Sequence, residues 1–286
     1  MFVITGVTGN TGSVVATTLL AAKQPVRVVL RDAAKADAWK AKGAEVAIAD
    51  LGDEAALAKA LAGATGAYIL LPPTAWNATG IAADRKLKIA AITNAVKTAK
   101  PKHVVMLSSI GANHASGTGP VASLHALEVE LGKTAVPTTF LRAAYFMDNW
   151  AGMIDGAIKS GSLYYGAKDG LAFAQVATED IGRTAAKLLV ESAPKGMRIV
   201  ELAGPKEYTL ADAAAAIAKA SGKPVGAVSV PIPAVVQSLV GMGASQELAE
   251  GMGELTDALN KGLLQFERID VRGTLSLDDK IKQFVK

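Results

Sequence analysis

The sequence contains no cysteine. This absence excludes disulfide bonds, thiol nucleophiles and thiolate metal sites, so the fold must be stabilised by its core. A chain of 286 residues is long enough for that. The three histidines, His103, His114 and His125, give no cluster of ligands with metal-site spacing, and we therefore predict no metal site.

Long apolar runs and concentrated charge are also missing. The apolar stretch around Leu70 ends at Pro72 and Pro73, and no run reaches the roughly 18 to 20 residues that a membrane span requires. The segment Met1–Ile4 has no basic or extended apolar leader, so we expect a cytoplasmic protein without a membrane partner. The net charge is +4, but 30 basic residues are scattered among 26 acidic ones, which disfavours nucleic-acid binding.

Short β-branched segments alternate with longer alanine-rich segments through the first half of the chain. Runs such as Tyr68–Leu71 and Val104–Leu107 are apolar at successive positions, which is typical of strands buried on both faces. Strand and helix repeated in this way predict a parallel sheet with helices on both faces. The fold class is therefore α/β.

This alternation loosens after Asn149 into helices with shorter strands. We expect a nucleotide-binding domain over residues 1–149 and a smaller C-terminal α+β lobe over residues 150–286, on the substrate side. Later segments, at about residues 172–202, are expected to return to the first domain.

Three glycines, Gly6, Gly9 and Gly12, follow the first predicted strand with the spacing G-x-x-G-x-x-G and lead into a helix. A tight turn, a close approach to a pyrophosphate and close packing of helix on strand each favour glycine. The helix N-terminus would offer N–H groups to the phosphates. Further donors are available from Thr8, Asn10 and Thr11. A plain strand-to-helix turn is the alternative, but the surrounding alternation favours dinucleotide binding.

The end of the second strand should meet the 2′ position of such a dinucleotide. Arg31 could hold a 2′-phosphate with two hydrogen bonds, while Asp32 would accept from a free 2′-hydroxyl. Lys35, one turn later, could assist Arg31, although a solvated loop charge is the alternative for Arg31. We predict NADP(H) as the preferred cofactor, with NAD(H) possible.

The third predicted strand ends at Asp50 and Leu51. Asp50 could accept from the adenine amino group, with Leu51 against the ring. Alternatively, Asp50 or Asp53 caps the helix that follows, and both roles could coexist.

Several of these segments together resemble the NmrA-like branch of the atypical short-chain dehydrogenases. They are Gly6–Gly12, Val28–Asp32, Ala49–Asp53, His103–Ser109 and Phe140–Arg142. The resemblance covers most of the chain and is strongest with the NADPH-dependent quinone oxidoreductases and triphenylmethane-dye reductases of that branch. It implies a doubly wound Rossmann domain, a small C-terminal domain and a substrate cleft between them.

The resemblance also implies a role for individual residues. Those at the pyrophosphate would be Gly6, Gly9, Asn10, Thr11 and Gly12. Those around the 2′-phosphate and adenine would be Arg31, Asp50 and Leu51. Those near the ribose and nicotinamide would be Leu71, Pro72, Ser108 and Ser109. The segment Tyr145–Asn149 would form the turn under the cleft.

The Tyr-x-x-x-Lys pair of typical short-chain dehydrogenases is absent from the corresponding helix, which reads Ser123–Glu130. We place the reaction at Ser109, His125 and Tyr145, with His125 as the candidate proton donor. A helix-surface or core histidine contacting Glu128 is an equal alternative for His125. Four aromatic residues could stack on a flat acceptor or belong to the core: Trp76, Tyr145, Phe146 and Trp150.

Hydride transfer needs no protein nucleophile, since a nicotinamide cofactor carries the reducing equivalents. Our first hypothesis is an NAD(P)H-dependent oxidoreductase that reduces a quinone, azo or related aromatic acceptor. The alternatives are a non-catalytic NADP(H)-binding redox sensor, as implied by the resemblance, and an isomerase or epimerase of nucleotide sugars. The partner is expected to be a small aromatic molecule, with a homodimer possible.

Overall fold

A parallel β-sheet lies at the centre of the protein in the computed structural model, which describes residues 1–285. Strands and helices are numbered in chain order. The strands of this main sheet are β1 (Phe2–Ile4), β2 (Val26–Leu30), β3 (Glu45–Ile48), β4 (Gly66–Leu70), β5 (Val104–Ser109), β6 (Thr138–Ala143), β10 (Met197–Ala203) and β13 (Val271–Arg272). The shorter strands outside it are β7 (Tyr145–Phe146), β8 (Ser162–Tyr165), β9 (Phe173–Val176), β11 (Glu207–Tyr208) and β12 (Gly226–Ser229).

The helices begin and end close to the turn and capping signals of the sequence. They are α1 (Asn10–Ala21), α2 (Ala36–Lys40), α3 (Glu54–Leu61), α4 (Ile81–Ala99), α5 (Val121–Gly132), α6 (Ala151–Ser160), α7 (Thr178–Val190), α8 (Leu210–Ser221), α9 (Ile232–Gly241), α10 (Gln246–Asn260) and α11 (Leu277–Phe284). Short 3₁₀ helices occupy Ala33–Lys35 and Met147–Trp150. Asp32 caps the first of these, and α2 follows it directly. Among the described residues, no helix is both long and apolar enough to cross a membrane.

The main sheet has the order β3-β2-β1-β4-β5-β6-β10-β13, and each neighbouring pair is parallel. The first six strands have the order of a doubly wound dinucleotide-binding sheet, which confirms the predicted α/β class. The chain adds β2 and β3 on one side of β1 and then crosses to the other side, where β4 pairs with β1. In open α/β sheets such a reversal places a crevice at the carboxyl ends of the strands.

Helices cover both faces of this sheet, because its strands are apolar on both. On one face, α1 and α7 bury side chains such as Leu19 and Ile181. On the other face, α3, α4 and α5 bury side chains such as Leu57, Ile92 and Leu127. Both clusters consist mainly of buried aliphatic side chains, so hydrophobic burial is the main stabilising term of this half.

The C-terminal lobe has a third core of its own. Its largest buried side chain is Trp150, which lies with Ile154, Tyr208 and Ile217 between α6, α8 and α11. Not all of the later chain belongs to this lobe, since α7 packs on α1 and both β10 and β13 extend the main sheet. The strand β13, at residues 271–272, lies beyond the segment that the sequence pattern predicted to return.

Candidate functional site

The glycine turn joins β1 to α1 at the sheet's point of reversal. Gly6 has a φ of +66°, and a Cβ there would lie 2.6 Å from a methyl carbon of Leu70. A Cβ on Gly12 would lie 2.6 Å from the carbonyl oxygen of Thr5 and closer still to that of Gly6. Both positions therefore require glycine, Gly6 for its backbone conformation and Gly12 for the close approach of α1 to the strand.

Gly9 is the N-cap residue of α1, and its N–H donates to the carbonyl oxygen of Gly6 at 3.0 Å. Because glycine has no side chain with which to cap a helix, the first-turn N–H groups of α1 stay available to a ligand. Thr8 and Asn10 are exposed in this turn. The Thr11 side chain is buried, and its hydroxyl accepts a hydrogen bond from the Tyr68 hydroxyl at 2.9 Å. Thr11 would thus contribute to a phosphate site through its backbone.

Arg31 and Asp32 follow β2 but are positioned differently. The Arg31 side chain is 78% exposed, with its guanidinium 4.0 Å from the Asp50 carboxylate. The Asp32 carboxylate accepts from the N–H of Ala34 at 2.9 Å and so caps the 3₁₀ turn. Of the two residues, Arg31 is the one available to a ligand. Lys35 is exposed in the same turn.

Asp50 and Leu51 lie beyond the end of β3, next to Arg31. The Asp50 carboxylate accepts from the N–H of Gly52 at 2.7 Å, while Asp53 caps α3 by accepting from the N–H of Ala56 at 3.0 Å. The capping role that the sequence left open between two aspartates therefore belongs to Asp53. Asp50 remains exposed, and Leu51 is buried beneath it.

The loop after β4 begins with Leu71 and Pro72, which are half-buried. The Arg85 guanidinium holds this loop, donating to the carbonyl oxygen of Pro72 and to the hydroxyl of Thr74. Further along, Trp76 donates its indole N–H to the carbonyl oxygen of Met242 at 3.2 Å. The loop thus reaches from the cofactor edge of the sheet to the connection between α9 and α10.

Ser108, near the end of β5, is fixed in a buried polar cluster. Its hydroxyl donates to the Glu128 carboxylate at 2.5 Å, and Arg142 pairs with the same carboxylate at 2.6 and 3.0 Å. Burial alone would disfavour the charged guanidinium, but the hydrogen bonds and charge of Glu128 outweigh it and raise the pKa of Arg142. The Ser108 hydroxyl is therefore engaged inside the protein, and Glu128 is not a partner of His125.

His125 and Ser109 flank the loop that follows β5. The Nδ1 atom of His125 lies 2.8 Å from the carbonyl oxygen of Ala112, so Nδ1 carries a proton and donates a hydrogen bond to this oxygen. Nε2 is the ring nitrogen that can bind and release a second proton. The Ser109 hydroxyl donates to the carbonyl oxygen of Ile110 at 3.0 Å. Both side chains are partly exposed. The other two histidines lie apart, with His103 buried at the start of β5 and His114 in the loop.

Tyr145 lies in an aromatic cluster at the base of the C-terminal lobe. Its ring centroid is 5.6 Å from that of Trp150, 6.2 Å from that of Tyr165 and 5.5 Å from that of Phe173. Burial, reinforced by the adjacent phenol of Tyr165, raises the pKa of Tyr145 well above its ordinary value. The phenol therefore keeps its proton at neutral pH.

The other aromatic candidates differ in exposure. Trp150 is fully buried and donates its indole N–H to the Gln175 amide oxygen at 2.9 Å, so it belongs to the core. Phe146 packs partly buried against the core of the main sheet. Trp76 is 48% exposed, which leaves it the most accessible of the four for stacking.

Asp148 is a site residue that the sequence pattern did not single out. It accepts hydrogen bonds from Asn10 of the glycine turn and from Thr178 of α7, and it pairs with Lys280 of α11. The pairs that sequence reasoning missed, including Glu128 with Arg142, join residues of different elements. Local periodicity carries no signal for such contacts.

The arrangement fits a dinucleotide. The glycine turn leaves the N-terminus of α1 without a side-chain cap, and Gly6 and Gly12 allow this N-terminus to lie close to the end of β1, as a pyrophosphate site requires. A basic side chain stands at the end of β2, where a 2′-phosphate would lie, and the loops after β4 and β5 border the remaining edge. These residues come together at the carboxyl edge of one sheet.

Two curated proteins are similar over nearly the full length of the chain. NAD(P)H azoreductase of Xenophilus azovorans is 29% identical over 255 residues, covering 89% of this chain and 86% of that protein. Quinone oxidoreductase 2 of Escherichia coli strain K12 is 30% identical over 269 residues, covering 92% of this chain and 89% of that protein.

The three-dimensional structure is similar to that of triphenylmethane reductase from Citrobacter sp., solved in complex with NADP(H). The TM-score is 0.85 at 25% sequence identity, and the match covers 100% of both chains. The sequence also matches the NmrA-like family over residues 1–276, in agreement with the resemblance carried by its motifs. This chain therefore belongs to the NmrA-like family.

Proposed function

We propose that this protein is an NADPH-dependent reductase that transfers hydride to a quinone, azo or related aromatic acceptor. The observation that carries the proposal is its similarity, over nearly the full chain, to a quinone oxidoreductase and an azoreductase. The structural relative that was solved with NADP(H) supports the same cofactor. The substrate would lie in a cleft between the main sheet and the C-terminal lobe.

The cofactor would be held along the carboxyl edge of the main sheet. The backbone of the glycine turn would bind the pyrophosphate, with help from Thr8 and Asn10. Arg31 would bind the 2′-phosphate, since its guanidinium is exposed and offers two parallel donors. Asp50 with Leu51 would border the adenine. Pro72, Leu71, Ser108 and Ser109 would border the ribose and nicotinamide through their backbone and apolar atoms.

When bound, NADPH supplies the hydride, and the protein has to position the acceptor and, for a quinone or azo acceptor, deliver one proton. His125 is oriented by the Ala112 carbonyl at Nδ1, so a proton on Nε2 could be donated to an acceptor oxygen or nitrogen. The protonated phenol of Tyr145 would orient the acceptor by a hydrogen bond. Helix α5 has neither tyrosine nor lysine, and its Glu128 is engaged by Arg142, so alcohol oxidation of the usual short-chain type is disfavoured.

The experiment is a turnover assay with purified protein. NADPH consumption is followed by absorbance with three acceptors, a naphthoquinone, an azo dye and a triphenylmethane dye, and NADH is tested in parallel. We expect turnover with at least one acceptor and a preference for NADPH.

Tight NADPH binding without turnover of any acceptor would contradict the reductase and favour the redox-sensor alternative. Turnover of a nucleotide sugar without net consumption of NADPH would instead favour an epimerase. NADPH binding is measured separately, by the fluorescence of the nicotinamide, so that an absence of turnover can be distinguished from an absence of cofactor binding.

A further inference from the structure

The Asp148 carboxylate connects four elements beside the glycine turn. One oxygen, Oδ1, accepts from the Asn10 amide at 3.3 Å and from the Thr178 hydroxyl at 2.7 Å, and lies 2.9 Å from the Lys280 ammonium. The other oxygen, Oδ2, accepts from the N–H of Thr178 at 3.1 Å. Asp148 itself comes from the 3₁₀ helix Met147–Trp150, between β7 and α6.

Asp148 acts as the cap of α7. The N-cap residue of α7 is Ala177, which has no side chain that can accept a hydrogen bond. The carboxylate supplied by Asp148 satisfies the first N–H group of this helix and lies at its positive end. The same carboxylate therefore fixes the N-terminus of α7 and the side chain of Asn10 at the N-terminus of α1.

These two N-termini are held close together by packing. A Cβ at Gly182 of α7 would lie 2.5 Å from the Cβ of Val14 in α1, so only glycine allows the observed approach. Asn10 and Thr178 thus start two helices packed side by side, and Asp148 bridges their first turns.

Lys280 stabilises the buried carboxylate of Asp148. Its side chain is 4% exposed, and its ammonium pairs with Glu179 at 2.7 Å as well as with Asp148. An uncompensated negative charge beside the glycine turn would repel a bound phosphate. The last helix of the chain, α11, therefore contributes a cation that pairs with Asp148 and is shared with Glu179.

We propose that Asp148, paired with Lys280, positions the Asn10 side chain for the pyrophosphate, which couples the C-terminal helix to cofactor affinity. Asp148 is a positioning residue, because it acts through Asn10 and not by touching the cofactor. This inference rests on the proposed function, in which the glycine turn binds the pyrophosphate of NADPH.

The experiment measures the dissociation constants of two probes for the full-length protein. NADPH contains the pyrophosphate, while adenosine 2′-monophosphate lacks it and reports only on the adenine and 2′-phosphate end. The variants are Asp148→Asn, Asn10→Ala, their double mutant, and Lys280→Met. Glu179→Gln is the matched control, because Glu179 also pairs with Lys280 but is not a partner of Asn10. Thermal unfolding and circular dichroism establish that each variant is folded.

We expect Asn10→Ala to weaken NADPH binding about 10-fold, the value of one lost hydrogen bond. Asp148→Asn should weaken it by up to the same factor, because its side chain has one neutral acceptor oxygen where the carboxylate has two charged ones for Asn10, Thr178 and Lys280. The double mutant should bind no more weakly than Asn10→Ala, because both substitutions act on the same interaction. Lys280→Met should weaken NADPH binding in the same direction. Binding of adenosine 2′-monophosphate should stay within about twofold throughout, and Glu179→Gln should not weaken the binding of either probe, because it removes a negative charge and leaves Asn10 and Asp148 in place.

Additive losses in the double mutant, or equal losses for both probes, would overturn the positioning role, since either result indicates a general structural effect. Unchanged NADPH binding in Asp148→Asn would overturn it as well, while leaving the proposed function intact. Absence of NADPH binding by the wild-type chain would overturn both. If Lys280→Met does not fold, Asp148→Asn, which keeps the shape of the side chain, decides the question.

Discussion

The difference between Arg31 and Asp32 is the reason at the level of single residues for the cofactor preference that we propose. The two side chains are adjacent in sequence and favour opposite dinucleotides. The Asp32 carboxylate accepts a hydrogen bond from the N–H of Ala34, whereas the Arg31 guanidinium extends into solvent at the end of β2. A local capping interaction thus removes the acidic candidate and leaves the basic one.

Arg31→Ala should therefore reduce the preference for NADPH over NADH. Loss of hydrogen bonds to a charged phosphate amounts to about 1.5 to 3 kcal/mol, which corresponds to a rise of roughly 10- to 100-fold in the KM for NADPH. The KM for NADH should hardly change, since NADH has no 2′-phosphate. Steady-state kinetics with both cofactors measures this, and Lys40→Ala, at an exposed lysine of α2, is the control. An unchanged ratio of the two KM values would show that Arg31 does not bind the 2′-phosphate.

His125→Gln tests the proton donor. General acid catalysis contributes about 100-fold or more when no other donor is available, and water would replace part of it, so kcat should fall by roughly 10- to 100-fold. The KM for NADPH should stay the same, because His125 lies on α5, away from the phosphate-binding turn. The same substitution at His114 provides a control. Equal kcat values for wild type and His125→Gln would assign the proton to solvent or to Tyr145.

At the scale of elements, the contact between β1 and α1 determines whether a phosphate site exists. The backbone of α1 approaches the end of β1 so closely that Gly12 has no room for a side chain. The approach brings the positive end of the helix to the carboxyl edge of the sheet, where the turn can surround a phosphate. The packing of α7 on α1 through Gly182 then fixes this helix from its other side.

Gly12→Ala should separate α1 from β1. The added methyl group would meet two backbone carbonyl oxygens, which cannot move aside as a flexible side chain could, and we expect a loss of about 2 to 3 kcal/mol in the free energy of unfolding. NADPH binding should be lost together with it. Urea unfolding measures the first effect and cofactor fluorescence the second.

The control for Gly12→Ala is the same substitution in another helix. Gly156 lies in α6 with open space around its Cβ position, so Gly156→Ala should stabilise the protein by about 0.5 to 1 kcal/mol. Destabilisation by both substitutions to a similar extent would contradict the steric argument.

For the whole molecule, His103 makes stability dependent on pH. It is buried at the start of β5, its Nε2 lies 2.9 Å from the Thr139 hydroxyl, and its Nδ1 has no hydrogen-bond partner among the described residues. Burial, with a smaller contribution from the nearby Arg198, lowers the pKa of His103 from 6.5 to about 4. The unfolded chain therefore binds a proton between these two values that the folded chain does not.

The free energy of unfolding should accordingly fall as the pH decreases from 6.5 towards 4. Above pH 6.5, His103 should not contribute to the pH dependence of this free energy. The loss due to His103 should reach about 2 kcal/mol between about pH 7 and about pH 5. Urea unfolding at both pH values measures it, with His103→Gln expected to have a smaller difference. A slope that His103→Gln leaves unchanged would assign the pH dependence to other groups.

The sequence by itself determined the parts of this protein that depend on neighbouring residues. The apolar pattern of the strands predicted the α/β class, and the spacing Gly6-x-x-Gly9-x-x-Gly12 predicted a tight turn between β1 and α1, because backbone conformation and close approach depend on residue types within a few positions. The basic residue after β2 could be identified for the same reason.

Only the tertiary structure decided which polar side chains form hydrogen bonds with other groups of the protein. Ser108 looked available from the sequence, yet its hydroxyl donates to Glu128, 20 residues away. Asn10 meets Asp148, 138 residues further along the chain. Such pairs form because buried polar groups must find partners wherever packing brings them, and no local period encodes that choice. The glycine turn was thus determined by its own residues, whereas its connection to the C-terminal helix depends on the folded chain.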